Sequence, residues 1–122
     1  MRFLKECGTF YLATSENGRP SLRPFGAVTA LNGQLFFTTG RDKAVYRQLK
    51  VNPAVQIAAQ KPGTRDWISV DGEAVASEKI SDKMKLFKEL SVLYGRFTSP
   101  EDENFSTFYL EKIQINFMSL LR

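Results

Sequence analysis

The sequence predicts a small antiparallel β-barrel of six strands with two helices outside it. Three observations support this fold class. Short runs of β-forming residues recur along the chain, turn sequences rich in Gly, Asn and Pro separate them, and only two stretches have the apolar spacing of amphipathic helices. Closing the sheet would remove exposed strand edges, and side chains fill the interior of so small a barrel. We therefore expect any ligand to bind outside the barrel, for example between subunits.

The composition is that of one domain spanning residues 1–122, with 43% hydrophobic residues and ten phenylalanines to build a core. No apolar stretch approaches the roughly 20 residues of a membrane span, and there is no signal-peptide pattern. Cys7 is the only cysteine, so an intramolecular disulfide is impossible and a reducing cytoplasm is expected. The sequence contains no histidine, which excludes Ser–His and Cys–His catalysis and the usual catalytic zinc sites. Chemistry would therefore depend on a bound cofactor.

The formal net charge of +4 allows two kinds of anionic partner. A basic chain can bind nucleic acid, or it can bind a small anion. No RNP-like, helix-turn-helix or zinc signature is present, so nucleic acid remains the weaker alternative.

The first half of the chain supplies three predicted strands. They are expected at Thr9–Thr14, Pro20–Thr29 and Gln34–Thr39, after a helix end at residues 1–7. Asn-Gly pairs lie between consecutive strands, and Asn-Gly is a strong signal for a tight hairpin turn. Within the second strand, Pro24 removes a ladder donor and Gly26 leaves backbone uncovered. This combination is typical of an edge, a bulge or the close approach of a ligand.

The stretch from Leu35 to Pro53 predicts a strand, a tight junction and a short helix. Gly40 permits a sharp exit from the strand, and Asp42 is the expected N-cap of the helix. Asn52-Pro53 ends the helix, because the residue before proline is disfavoured in the α region.

Polar groups converge at the start of this helix. The side chains are those of Thr38, Thr39, Arg41 and Lys43, and unpaired N–H groups at the positive end of the helix dipole join them. This arrangement is suited to a phosphate group. The same residues are also compatible with an ordinary strand–helix junction whose cations are solvated.

The second half of the chain predicts the remaining elements. Strands are expected at Ala54–Gln60 and Trp67–Ala76, with a bulge or bend at Asp71-Gly72, and a last strand or pair of strands is expected at 105–121. A second helix is predicted from an N-cap at Ser81 to about Tyr94. Its apolar positions are Met84, Phe87, Leu90 and Leu93.

Two segments together resemble the pyridoxamine 5′-phosphate oxidase-like proteins, the FMN-binding split barrels. They are FYLATSENGRPSLRPFGAV and LFFTTGRDKAVYRQLKVNPAVQIA, and the likeness covers roughly residues 5–76. Its central pattern is a strand ending in two threonines, a lysine four residues on, then Asn-Pro and another strand. The resemblance implies a Greek-key split barrel that forms a homodimer, with FMN at the subunit interface.

The resemblance also implies a set of flavin-binding residues. The strand segment that lies along the flavin corresponds to Arg23, Pro24, Phe25 and Gly26. The residues near the flavin phosphate correspond to Thr38 and Thr39, and its cationic partners to Lys43 and Arg41. Further flavin contacts correspond to Gln56 and Trp67. The chemistry of two residues of this set agrees. Lys43, at the first turn of a helix, can form a charge-assisted hydrogen bond with a phosphate, and Arg23 offers a planar fork for a phosphate or for a flavin carbonyl. Each residue also has an ordinary role open to it, such as core packing for Phe25 and Trp67.

The function predicted from these residues is that of an FMN-binding protein acting as a flavin-dependent oxidoreductase on a small molecule, with NAD(P)H as a possible partner. KIQINFMSLLR lacks the arginine–histidine pattern of true pyridoxamine 5′-phosphate oxidases, so that specific activity is not expected. The alternatives are a non-enzymatic flavin carrier or sensor, a barrel that holds deazaflavin or haem, and a basic barrel that binds nucleic acid. No residue is assigned as a general acid or base.

Overall fold

Tight Asn-Gly turns join strands in the first part of the chain, as predicted. In the computed structural model, which describes residues 9–26 and 28–119, Asn17 and Asn32 have φ values of 53° and 54°. The glycine after each also has positive φ. Both central residues of a type I′ turn need this conformation, and asparagine and glycine tolerate it best. The helix end expected at residues 1–7, including Cys7, lies outside the described residues.

The described chain forms seven strands, two α-helices and one short 3-10 helix. The strands are β1 (Phe10–Glu16), β2 (Arg19–Phe25), β3 (Val28–Leu31), β4 (Gln34–Gly40), β5 (Ala54–Gln60), β6 (Asp66–Ser77) and β7 (Phe105–Ser119). The helices are α1 (Ala44–Val51), α2 (Ile80–Glu89) and the 3-10 helix Ser91–Gly95.

All neighbouring strands pair antiparallel in one sheet of order β2-β1-β5-β6-β7-β4-β3. The strand count corrects the prediction of six, because the strand expected at Pro20–Thr29 is divided into β2 and β3. The division follows Pro24 and falls at Gly26, which is outside both strands. β2 and β3 are the two ends of the sheet order, so the predicted edge position of this segment is confirmed.

The barrel interior holds the larger of two hydrophobic clusters. Phe37 stacks on Phe108, with ring centroids 5.4 Å apart, and α1 adds Val45 and Leu49 to the same cluster. A second, smaller cluster of Leu93, Phe97 and Phe105 lies under the 3-10 helix. The two clusters fix α1 and the 3-10 helix against the sheet, and both elements contribute residues to one surface cleft.

The predicted irregularity at Asp71-Gly72 is confirmed as a register shift between β6 and β7. Asp71 pairs with Gln114 and Glu73 with Glu111, so two residues of β7 lie opposite Gly72 alone. Lys112, one of these two, has a φ of 53°. A Cβ on residue 72 would lie 3.0 Å from the carbonyl oxygen of Glu111, which explains glycine at this position.

The helix termini depart from the sequence-based expectations. Lys43, not Asp42, is the N-cap of α1, and no side chain caps it. The second helix begins at Ile80 after an N-cap at Lys79, so Ser81 is not its cap, and it ends at Glu89 before the 3-10 helix. Within the described residues, no helix is long and apolar enough to cross a membrane.

The buried face of α2 also differs from the expected one. Leu86 is completely buried, whereas Met84, expected on the apolar face, is 58% exposed. The buried face of this helix is formed by Lys83 and Leu86, which are three residues apart, with Phe87 half-buried beside them.

Candidate functional site: a cationic cleft at the start of helix α1

A cleft of about 600 Å³ opens where β4 leads into α1. Its lining brings together most of the residues singled out by sequence: Arg23, Pro24, Phe25, Gly26, Thr38, Thr39 and Lys43. Leu93, Arg96 and Phe97 face them from the 3-10 helix and the segment after it. The cleft lies outside the barrel interior, as expected for so small a barrel.

The junction between β4 and α1 is held by close backbone contacts. The backbone N–H of Asp42 donates to Asn104 Oδ1 at 3.0 Å, and the N–H of Arg41 donates to the carbonyl oxygen of Asn104 at 2.9 Å. A Cβ on Gly40 would lie only 2.5 Å from Asp42 Oδ1 and 3.0 Å from Asn104 Nδ2, so a larger residue there would require these two side chains to move. The turn leads into the first residues of α1, Ala44 and Val45, whose N–H groups have no intrahelical acceptor.

Thr38 and Thr39 are buried at the end of β4, with 4% and 7% exposure, and both line the cleft. They pair with Thr107 and Ser106 of β7. Among the described residues, neither threonine hydroxyl has a hydrogen-bond partner, in contrast to Thr107, whose hydroxyl donates to the carbonyl oxygen of Ser77 at 2.6 Å. Each free hydroxyl is able to donate to or accept from a ligand in the cleft.

Arg23 reaches the cleft from the inner side of β2. Its Nη1 donates to Thr14 Oγ1 at 2.9 Å and to the carbonyl oxygen of Leu12 at 3.3 Å, and its Nη2 donates to Gln48 Oε1 at 2.9 Å. Burial lowers the pKa of the Arg23 guanidinium, which nevertheless remains charged at neutral pH. Two of its five N–H groups have no partner among the described residues.

The charges lining the cleft are predominantly positive. Arg23, Lys43 and Arg96 carry three positive charges and Asp42 one negative charge, which gives the lining a net charge of +2. Among the described residues, none of these three cations forms an ion pair. The side chains therefore favour an anion that carries about two charges.

Pro24 and Phe25 contribute in different ways. The ring of Phe25 packs edge-on against Phe37, with centroids 5.7 Å apart, so it belongs partly to the core. Pro24 is exposed and pairs with Tyr11, on the outer face of the sheet. Because opposite residues of an antiparallel pair share a face, Pro24 connects the cleft with that outer face.

Three predicted site residues lie away from the cleft lining. Arg41 is turned toward Glu78, with Nη2 2.9 Å from Oε2. Gln56 donates to Asp71 Oδ1 at 2.8 Å, and Trp67 is half-buried at the start of β6. The pairing registers place Gln56 and Trp67 on the same outer face of the sheet as Pro24.

Arg96, Asn104 and Gln48 are site residues that the sequence analysis missed. Arg96 and Asn104 come to the cleft from more than 50 residues beyond Lys43, and no local pattern marks them. Gln48 does have a signal, because it interrupts the apolar face of α1 that Val45 and Leu49 form. A polar residue on a buried helix face must find hydrogen-bond partners, and Gln48 finds Arg23 and Thr14.

The fold and the cleft define a small antiparallel barrel protein with a cationic cleft on its outside. The sequence profile of the family described as pyridoxamine 5′-phosphate oxidase matches residues 1–119. The chain therefore belongs to this family, which confirms the resemblance seen in the sequence. The antiparallel, unclosed sheet matches the expected split-barrel fold, with seven strands rather than six.

Solved structures of other proteins are similar over nearly the whole chain. A NimC/NimA family protein from Clostridium acetobutylicum is 33% identical, with a TM-score of 0.91, over 98% of this chain and 84% of that one. A pyridoxamine 5′-phosphate oxidase-related, FMN-binding protein from Nostoc punctiforme is 22% identical, with a TM-score of 0.75, over 98% and 78%. An F420 reductase is 20% identical, with a TM-score of 0.74, over 94% of each chain. No curated protein matches.

Proposed function

We propose that this protein binds FMN in the cleft and that the flavin phosphate lies at the start of α1. Lys43, Arg23 and the hydroxyls of Thr38 and Thr39 would hold the phosphate, and Arg96 would face it from the opposite wall. The observation that carries this proposal is the group of three cleft cations that have no carboxylate partner in the described part of the chain. The support from similar structures is a relative of the same fold described as FMN-binding.

The residues present fit a phosphate monoester in charge and in hydrogen bonding. Such a group carries about −1.5 to −2 charges at neutral pH, close in magnitude to the net +2 of the lining. It offers strong acceptors to the Lys43 ammonium, to the free N–H groups of Arg23 and to the two threonine hydroxyls. Arg41 fits less well, because Glu78 already compensates its charge.

We further propose that a second copy of the chain covers the distal half of β7. Ile113, Ile115 and Phe117 are 39%, 50% and 65% exposed there. In the described chain, residues 110, 111 and 114–116 pair with β6 and with no other strand, so one edge of this part of β7 is available. A homodimer would bury these apolar side chains and allow Gln56 and Trp67 to contact the flavin bound by the partner.

When bound, FMN would supply the exchange of hydride or electrons with a nicotinamide or another small organic substrate. The chain would bind and orient the flavin and exclude water from one side of its ring. This makes a flavin-dependent oxidoreductase of the reducing cytoplasm the leading assignment. The second candidate is a flavin carrier or sensor. Oxidation of NADH or NADPH in steady state would identify the enzyme, whereas binding without turnover with any donor would identify the carrier.

The first test of the proposal is a visible absorption spectrum of the purified protein before and after addition of FMN and desalting. The expected result is a retained flavin band that differs from that of free FMN. A protein that retains no FMN would contradict the proposal. Deazaflavin, haem and nucleic acid would then be compared, with nucleic acid recognised by binding that weakens steeply with salt.

The dimer is tested by sedimentation of the intact chain and of the variant Ile115→Asp. We expect the intact chain to sediment as a dimer and the variant as a monomer, because dimer formation would bury a charge without a partner. Ile80→Asp is the matched control, since Ile80 is 47% exposed at the first turn of α2 and aspartate is favourable there. A monomeric intact chain, or a dimeric Ile115→Asp variant, would contradict this interface.

A further inference from the structure

Gln48 is a buried polar residue that connects α1 with Arg23. It is 4% exposed and lies on the face of α1 that packs against the barrel. Its Oε1 accepts from Arg23 Nη2 at 2.9 Å and from Thr14 Oγ1 at 2.5 Å. A neutral amide oxygen with two donors directed at it has both of its acceptor positions in use.

The orientation of the Gln48 amide is determined by its surroundings. Its Nε2 faces two acceptors, Glu16 Oε1 at 3.4 Å and Ser21 Oγ at 3.5 Å. Glu16 is held in turn by Arg47, at 3.2 Å between Nε and Oε2. The reversed amide would turn an NH₂ group toward the Arg23 guanidinium, where two donors would oppose each other. The oxygen of Gln48 is therefore directed at Arg23.

All three hydrogen bonds of Arg23 go to neutral oxygens. These are the backbone carbonyl of Leu12, the hydroxyl of Thr14 and the amide of Gln48. The guanidinium is thus fixed in position by neutral groups, and no carboxylate among the described residues compensates its charge. Arginine more often meets a carboxylate when it is partly buried, because an unpaired charge is costly to desolvate.

We propose that Gln48 is a positioning residue that orients Arg23 toward the cleft while leaving its charge available to the anionic group of the ligand. This inference rests on the proposed function, in which that group is the flavin phosphate. Two features of the glutamine are needed: its acceptor oxygen holds the guanidinium, and its neutrality leaves the positive charge for the ligand. A glutamate would keep the first feature and remove the second.

The experiment compares the dissociation constants of FMN and riboflavin for the intact chain and for Gln48→Glu, by quenching of flavin fluorescence. We expect Gln48→Glu to weaken FMN binding about tenfold or more and riboflavin binding less than about twofold, because only FMN carries the phosphate. Gln48→Met removes the acceptor without adding a charge, so its loss of FMN affinity should be smaller. Gln34→Glu is the matched control. It makes the same chemical change at the opposite end of β4 and should leave both constants unchanged.

A second variant addresses the possibility that Gln48→Glu folds poorly, since the new carboxylate would lie beside Glu16. The double variant Gln48→Glu/Glu16→Gln removes that repulsion, and thermal melting establishes that it folds. The expected result is again a selective loss of FMN affinity. Equal losses for FMN and riboflavin in the folded variants, or no loss for either, would overturn the positioning role. If the intact chain itself does not prefer FMN over riboflavin, the proposed function fails instead.

Discussion

Two groups of cations lie near the β4–α1 junction. Those of the first group form ion pairs with carboxylates, whereas those that line the cleft form none with any described residue. Arg41 and Lys83 both contact Glu78 Oε2, at 2.9 and 3.3 Å, and Arg47 contacts Glu16. We call these the paired cations. The cleft cations, Arg23, Lys43 and Arg96, have no carboxylate partner among the described residues. The two groups are interspersed along the sequence, and Arg41 and Lys43 are only two residues apart.

This difference shows where the chain leaves positive charge uncompensated. Surface ion pairs contribute little to stability, so the lack of partners costs little folding energy at the exposed Lys43 and Arg96. The partly buried Arg23 is stabilised instead by its hydrogen bonds to neutral oxygens. The lack of partners does create a local positive potential that attracts anions.

The largest effect is expected for Lys43→Ala compared with Arg41→Ala. Lys43→Ala should weaken FMN binding by about 1.5–3 kcal/mol, the scale of a charged hydrogen bond, and riboflavin binding much less. Arg41→Ala should change FMN binding by less than about twofold, because its charge is already compensated. Fluorescence titration measures all four constants. Equal effects of the two substitutions would remove the distinction between cleft cations and paired cations.

A smaller effect is expected for Glu78→Gln, which releases two of the paired cations. Unfolding in urea should show a loss of about 1 kcal/mol or less, because Glu78 is 56% exposed and its pairs are screened by solvent. Lys83 retains its hydrogen bond to the carbonyl oxygen of Phe105 at 3.1 Å. FMN affinity should be unchanged. A severalfold gain would show that a released Arg41 reaches the phosphate, and Arg41 would then join the cleft cations.

The smallest effect is expected in the loop that carries Asn104 to the cleft. The backbone N–H groups of Thr98 and Asn104 donate to Asp102 at 2.9 Å each and hold the pKa of its carboxyl below the usual range. A lowered pKa in the folded state stabilises the fold above the unfolded-state value of about 3.9. That contribution is lost as the pH falls through the folded-state pKa.

Asp102→Asn should therefore lower the melting temperature slightly at pH 7, and the difference from the intact chain should shrink as the pH is reduced below about 4. Thermal melts between pH 7 and pH 2.5 measure this. A difference that stays constant over this range would show that the charge of Asp102 does not stabilise the loop.

Local features of the fold were predictable from the sequence because few residues decide them. The Asn-Gly turns depend only on the ability of Asn17 and Asn32 to adopt positive φ. The strand–helix junction at Gly40 was likewise correct. The division between β2 and β3 was missed, because local residues do not show that β2 pairs with β1 whereas β3 pairs with β4, at the opposite end of the sheet order. The apolar spacing through Met84 did not reveal that α2 stops at Glu89 and buries Leu86.

In the candidate site, too, the features that local sequence determines were predicted, and those that depend on tertiary contacts were not. Arg23, Thr38, Thr39 and Lys43 were predicted and come together at one cleft. The sequence did not show that Arg41 pairs with Glu78, which is 37 residues away. It also did not show that Arg96 and Asn104 reach the cleft. Tertiary structure determines which cations have a carboxylate partner. This difference is what separates the cleft cations from the paired cations.

The most direct test of the phosphate site is the ratio of FMN to riboflavin affinity of the intact chain, measured by equilibrium titration at pH 7.5. We expect FMN to bind at least tenfold more tightly than riboflavin, because only FMN offers a phosphate to the cleft cations. The preference should decrease as the salt concentration rises. Equal affinities for the two flavins at low salt would contradict the assignment of this cleft as the phosphate site.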